Sequence, residues 1–166
     1  MPEKREYTVC FLFDSDLQNV LLVKKERTEF KGRLNGVGGE LGPDGNPNET
    51  PIECAIREIA EETGVQYDEF ESLDLARLIH LGTLSLPYDC KYGENTECVL
   101  HYFAGAMKPE TMPSAETDAG EALVMEPVAN ILAANVENTR YAGKGDVQYF
   151  VNAGLEALRR RLAGKE

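Results

Sequence analysis

No stretch of this chain approaches the ~20 consecutive apolar residues that a bilayer-spanning helix needs. The opening segment, MPEKREYTVCFLF, has only a short apolar run, followed at once by Asp14 and Asp16. It lacks the long apolar region and small-residue cleavage site of a signal peptide. A soluble cytoplasmic protein with no membrane contact is the expectation. Positive charge is scarce: 17 Lys and Arg stand against 29 Asp and Glu, for a net charge of −12. Such a surface repels the phosphates of a nucleic-acid polymer, which argues against a duplex-binding role. A small anion can still be held if metal ions bridge it to clustered carboxylates. There are four cysteines, Cys10, Cys54, Cys90 and Cys98. Cys10 and Cys54 lie in apolar strand-like and helix-like runs, and without a secretory signal free thiols are expected. Cys90 and Cys98 with His80 and His101 match no standard zinc spacing.

A length of 166 residues fits one domain, spanning 1–166, with enough buried surface for a core free of disulfide staples. Residues 7–13 (YTVCFLF) and 18–24 (QNVLLVK) are rich in β-branched and aromatic residues, and the Asp14–Asp16 break between them predicts a hairpin. A Gly-, Pro- and Asn-rich loop follows. Two later strands are expected in LARLIHLGTLSL and ECVLHYFAGAM, a short strand in ALVMEP and a short helix in VANILAAN. The last segment, VQYFVNAGLEALRRRLA, has helical period. Val147, Phe150, Val151, Leu155, Leu158 and Leu162 share one face, and Arg159, Arg160 and Arg161 suit the C-terminal turn. Strands mixed with a few helices define an α/β (α+β) sandwich, with a mixed sheet flanked by helices.

The segment TPIECAIREIAEETGV, residues 50–65, is the most informative. Thr50 can cap a helix, Pro51 suits its first position, Glu53 completes a capping box and Gly64 supplies the stop. Ile52, Ala55, Ile56, Ile59 and Ala60 form an apolar stripe. The opposite face gathers Glu58, Glu61 and Glu62 at spacings of three and four, roughly 5–6 Å apart at Cβ. Like charges at that spacing weaken an isolated helix by a few tenths of a kcal/mol per pair. A solvated acidic face is the plain alternative. Against it stand Arg57, four residues before Glu61, and the Gly-rich loop leading into the helix. Hard carboxylate oxygens in a cluster are also what Mg²⁺ takes, and Mn²⁺ accepts them too.

Glu49, seven residues, then Arg57-Glu58-Ile59-Ala60-Glu61-Glu62-Thr63-Gly64-Val65 resembles the signature of the Nudix hydrolase family, in its MutT-like branch. The flanking hairpin, later strands and terminal helix follow the family's order, so the likeness spans most of the chain. One departure lies before the helix: nine residues, Glu40 to Asn48, separate Gly38-Gly39 from Glu49, where the family has five. The extra residues fall in LGPDGNPN, a turn-rich segment that tolerates insertion.

The resemblance implies a Nudix-type α/β/α sandwich and metal-dependent hydrolysis of a phosphoanhydride in a nucleoside diphosphate derivative. Glu58, Glu61 and Glu62 would bind Mg²⁺, and Gly39 would add its backbone oxygen. Arg57 would orient the cluster and Glu49 brace the loop. A further carboxylate would come from PETMPSAETDAGEALVM, where Glu116 and Glu121 both qualify and the resemblance favours Glu116. The stretch GRLNGVGGE, from Gly32, is similar to that of enzymes that sanitise oxidised purine nucleotides. It makes Asn35 the base-reading residue, while Leu34 and Glu40 replace an aromatic and a lysine. Asn135 is a second base-contact candidate. Lys24, Lys25, Arg27 and Arg33 are candidates for phosphate. The leading expectation is a nucleoside triphosphate split to monophosphate and pyrophosphate, by a monomer or homodimer. The alternatives are a pyrophosphatase of ADP-ribose, a dinucleotide or a nucleotide sugar, and a non-catalytic nucleotide-binding module on the same fold.

Overall fold

The structure is a computed structural model that describes residues 3–26, 30–42, 46–65, 78–87 and 93–164. Strands β1 (Glu3–Phe13) and β2 (Asn19–Lys24) form the expected hairpin, pairing antiparallel at Leu12↔Leu21 and Phe13↔Val20. Asp14 closes it: its Oδ1 accepts from the N–H groups of Gln18 and Asn19, each at 2.9 Å. A two-residue strand, β3 (Leu34–Asn35), follows in the Gly-rich loop. Helix α1 (Pro51–Thr63) comes next, then β4 (Ile79–Leu86), β5 (Thr96–Ala106) and β6 (Leu123–Pro127). Helices α2 (Val128–Ala133) and α3 (Asp146–Leu162) complete the chain. Residues 75–77, expected at the start of β4, lie outside the described residues, as do Arg27 and Cys90.

The sheet order is β3-β2-β1-β5-β4, and β6 pairs antiparallel along β2. β1 runs parallel to β5 over eleven residue pairs, the long-range contact that makes the sheet mixed. Strands covered on both faces read as unbroken apolar runs, and alternation along β1 shows why. Val9, Phe11 and Phe13 point into the cluster holding Val147, Phe150, Val151 and Leu155 of α3 and Ile131 of α2. Cys10 and Leu12 point the other way, against Ala55 and Ile59 of α1. The result is helix, sheet and helix in three layers. Leu162 departs from the expected apolar face: it is the last residue of α3 and is 67% exposed. Cys10, Cys54 and Cys98 are buried free thiols. No helix among the described residues is long and apolar enough to cross a membrane.

Candidate active site

Helix α1 begins as its sequence dictates. Thr50 Oγ1 accepts from the Glu53 N–H, and the Glu53 carboxylate accepts from the Thr50 N–H, completing the capping box. Gly64 ends the helix in the left-handed region at φ 74°. With its apolar stripe fixed on β1, the helix presents Arg57, Glu58, Glu61 and Glu62 along its remaining face.

Arg57 is the hub of that face. Its Nε and Nη2 donate to the two oxygens of Glu49 at 2.7 and 2.9 Å, the fork geometry that suits guanidinium and carboxylate. Nη1 donates to Glu58 at 2.8 Å and to Glu61 at 3.1 Å, and Nη2 also reaches the Glu40 carbonyl at 3.1 Å. Glu49 accepts in addition from the Gly42 N–H at 3.2 Å. One ion pair therefore ties the near end of the lengthened loop to the helix; residues 43–45 of that loop lie outside the described residues.

The Gly-rich segment runs antiparallel beside β1. Cys10 N–H donates to the Val37 carbonyl at 2.6 Å and Thr8 N–H to the Gly39 carbonyl at 2.9 Å. The Gly39 carbonyl, expected on a metal, is thus turned into the sheet. In a ladder the peptide edges alternate, so Gly38 faces outward, and its N–H donates to Glu62 Oε2 at 3.3 Å. Close approach makes Gly38 necessary and leaves Gly39 little room. A Cβ on Gly38 would collide with the Thr8 carbonyl, and one on Gly39 with the Glu58 carboxylate.

The second acidic loop is docked on the end of α1, where Ser114 N–H donates to the Thr63 carbonyl at 2.8 Å. It then turns tightly: Gly120 N–H donates to the Thr117 carbonyl and Glu121 N–H to Thr117 Oγ1. The turn gives the two candidate glutamates different surroundings. Glu116 is exposed, its backbone bridging to Ala122. Glu121 is buried: its Oε2 accepts from the Glu26 N–H at 2.8 Å and its Oε1 lies 3.5 Å from Lys25 Nζ. Lys25, a phosphate candidate by sequence, thus sits among carboxylates.

These acids crowd one another. Burial pushes the Glu62 carboxyl up to about 8, helped by the charge of Glu58 and, further off, Glu121; Lys25 works in the opposite direction. Burial also raises Glu58, against the pull of Arg57, and the charge of Asp118 adds to the rise. Glu49 goes the other way, held below the usual carboxylate range by its bonds to Arg57. The donor set fits a hard divalent ion: buried carboxylate oxygens in excess of the cations that face them. Among the described residues no three acidic, His or Cys side chains are gathered closely enough to form a preset metal site.

On the opposite face of the sheet lies a cleft of about 600 Å³. Arg33 and Asn35 line one wall, Gly143, Lys144 and Asp146 another, and Leu84, Leu100 and Tyr102 the floor. Tyr102 is stacked on Phe150 at 3.7 Å between ring centroids. Leu34, where the resemblance has an aromatic, points into the core, while Phe30 lines the cleft. Glu40, in place of lysine, pairs with Arg5 at 3.1 Å. Asn35 Oδ1 accepts from the Gly36 N–H at 2.8 Å, which fixes its amide. Asn135 does not reach the cleft. It is exposed, and its Oδ1 accepts from the Glu137 N–H at 3.0 Å, the work of a turn former. Asp146, half-buried in the first turn of α3 and raised by that burial, escaped sequence reasoning. So did Lys144; their only signal is the Gly-Lys-Gly-Asp run before the last helix.

The chain belongs to the NUDIX domain family, which matches residues 3–142. Solved structures agree on the fold. The NUDIX domain of Shewanella oneidensis NrtR, complexed with ADP ribose, is 20% identical with a TM-score of 0.65, covering 98% of this chain and 90% of that one. A bifunctional NMN adenylyltransferase/ADP ribose pyrophosphatase from Francisella tularensis is 18% identical with a TM-score of 0.66, over 94% of this chain but 42% of that one. A MutT protein from Bacillus halodurans is 21% identical with a TM-score of 0.63, over 91% of this chain and 82% of that one.

Proposed function

We propose that this protein is a divalent-metal-dependent hydrolase that splits a phosphoanhydride bond in a nucleoside triphosphate, releasing monophosphate and pyrophosphate. One observation carries the reading. A single extended segment serves both halves of such a substrate: Arg33 and Asn35 line the cleft, and Gly38, three residues on, meets Glu62. Three residues span at most about 10 Å along the chain, a separation that the phosphates of a nucleotide whose base lies in the cleft can bridge.

In this reading Glu58, Glu61 and Glu62 hold Mg²⁺ or Mn²⁺, with Glu121 in the place first given to Glu116. The outward peptide edge of Gly38 replaces the carbonyl of Gly39. The ion supplies charge neutralisation on the phosphates and a more acidic water for attack at phosphorus. Arg57 holds Glu58 and Glu61 in position. Lys25, beside Glu121, balances part of the acidic charge and is within reach of a phosphate oxygen. Asn35 reads the base edge, since an amide both donates and accepts. Arg33 and Asp146 line the same cleft, and Phe30 offers aromatic surface there. The enzyme is read as cytoplasmic, a monomer or homodimer, with a small nucleotide and no nucleic-acid polymer as its partner.

The test is a substrate panel with Mg²⁺: dGTP, oxidised dGTP, the other dNTPs, ADP-ribose and dinucleotides, with pyrophosphate and phosphate followed separately. Metal-dependent pyrophosphate release from one triphosphate is the expected result. Cleavage of ADP-ribose with every triphosphate untouched would replace the substrate and keep the metal site. Binding without turnover of anything would make the chain a nucleotide-binding module.

A further inference from the structure

The most buried carboxylate among the described residues is not in the metal cluster. Glu126 on β6 is 2% exposed, and it stands opposite Val20 on the sheet face that carries α3 and the cleft. Its oxygens accept from Arg140 Nε at 2.6 Å, Arg140 Nη2 at 2.9 Å and the Tyr141 hydroxyl at 2.8 Å. Those two residues belong to a strip that grips β3: Leu34 N–H donates to the Arg140 carbonyl and Ala142 N–H to the Leu34 carbonyl, both at 2.8 Å. Leu34 is flanked by Arg33 and Asn35, and Ala142 runs on into Gly143, Lys144 and Asp146, so the strip joins two walls of the cleft.

Resting on the reading of this cleft as the nucleoside site, we propose that Glu126 is a positioning residue for substrate recognition: through Arg140 and Tyr141 it sets the spacing of the cleft walls without touching the substrate. An ion pair between a buried carboxylate and an exposed guanidinium is weak support for stability. What a guanidinium fork on a buried carboxylate supplies is direction. Here that direction fixes the strip on which both walls hang. Glu126 is held below the usual carboxylate range, chiefly by Arg140, which keeps the fork charged and intact.

The test compares wild type, Glu126→Gln, Tyr141→Phe and Leu158→Ala. Leu158 is buried near the far end of α3, twelve residues from Asp146 and so about 18 Å along the helix. It serves as a destabilised control remote from the cleft. KM and kcat are measured with dGTP and with ADP-ribose in Mg²⁺, and metal-free binding with dGMP and AMP. Amide hydrogen exchange is followed at Leu34 and Ala142. Glu126→Gln is expected to raise KM and monophosphate Kd about tenfold, the scale of one lost charge-assisted hydrogen bond. Its kcat stays within about threefold, and exchange speeds up selectively at Leu34 and Ala142. Tyr141→Phe, which removes one hydroxyl from a packed ring, does the same more weakly and carries the test should Glu126→Gln not fold. Leu158→Ala lowers Tm and leaves KM alone. Unchanged KM and unchanged exchange in a folded Glu126→Gln overturn the proposal, as does a KM that merely follows Tm across all variants. Failure of the nucleotide reading looks different. The wild type then binds and turns over nothing, while exchange at Leu34 and Ala142 still decides whether Glu126 braces the cleft.

Discussion

The molecule holds two arginine–carboxylate centres, and they are built on opposite principles. Arg140 meets Glu126 one to one, with a tyrosine hydroxyl completing the carboxylate's bonds. Arg57 meets three glutamates, Glu49, Glu58 and Glu61, with Glu62 beside them. The first centre is balanced and its carboxylate is held ionised. The second is overloaded with negative charge, and its buried members resist ionising. A folding requirement alone favours the balanced kind, since uncompensated buried charge costs several kcal/mol. An imbalance of that sort points to a functional site rather than a folding requirement, and it accords with the cation site proposed above.

The sharpest way to break this contrast is Glu62→Gln. Turnover is expected to fall by roughly 10²–10⁴-fold, the range for losing one positioned carboxylate. The metal-free protein meanwhile becomes more stable at pH 8, because a reluctant charge is gone. Persistent turnover with a lower Tm would reduce the acidic face to structure. Arg57→Met is next. It strands Glu49 and Glu58, and urea unfolding should show a loss of about 3–5 kcal/mol. Added Mg²⁺ restores part of it if the site takes the ion. A third comparison sets Glu121→Gln against Glu116→Gln. The buried Glu121 is expected to cost at least about tenfold in kcat/KM, on the scale of outer-shell losses at metal sites, whereas the exposed Glu116 changes little. Equal losses would show that the turn reopens when substrate binds.

The smallest effect is the pH dependence of the metal-free protein. The unfolded state ionises Glu62 near about 4.3, while the folded state keeps its proton up to about 8. Between those values the folded state binds more protons, so stability falls as pH rises, by about 1–2 kcal/mol after allowance for solvent screening. Glu49 has the opposite sign: its lowered value makes its contribution fade on acidification below the ordinary carboxylate range. Saturating Mg²⁺ should flatten the upper limb. A metal-free protein as stable at pH 8 as at pH 5.5, by urea midpoint, would mean that Glu62 is not desolvated in solution.

Helix α1 was legible residue by residue. Its cap, first-turn proline, apolar stripe and glycine stop are all local signals, read within one or two turns. The β-branched and aromatic run of β1 and the period of α3 were legible for the same reason. The sites that misled lie where a distant partner arbitrates. Glu116 and Glu121 are both loop acids in sequence, and the Thr117 turn with the Glu26 N–H buries the second and leaves the first exposed. Gly38 and Gly39 are neighbours, and only their register against Thr8 decides which peptide edge faces the helix. Asn135 looked like a base contact, yet its own turn claims its side chain. Asp146 had only the Gly-Lys-Gly-Asp run as a marker, because what makes it notable is burial beside a cleft assembled from distant segments.

By itself the sequence determined which backbone becomes helix, where that helix starts and stops, and that Glu58, Glu61 and Glu62 share a face with Arg57. These follow from steric and hydrogen-bonding preferences acting over a few residues. Only the tertiary structure decided which loop carboxylate is buried, which glycine turns outward, and that Glu126 meets Arg140 and Tyr141 beside the cleft. Those outcomes depend on the parallel pairing of β1 with β5 and on loops docked across the sheet, and such contacts are settled by the burial of the whole core.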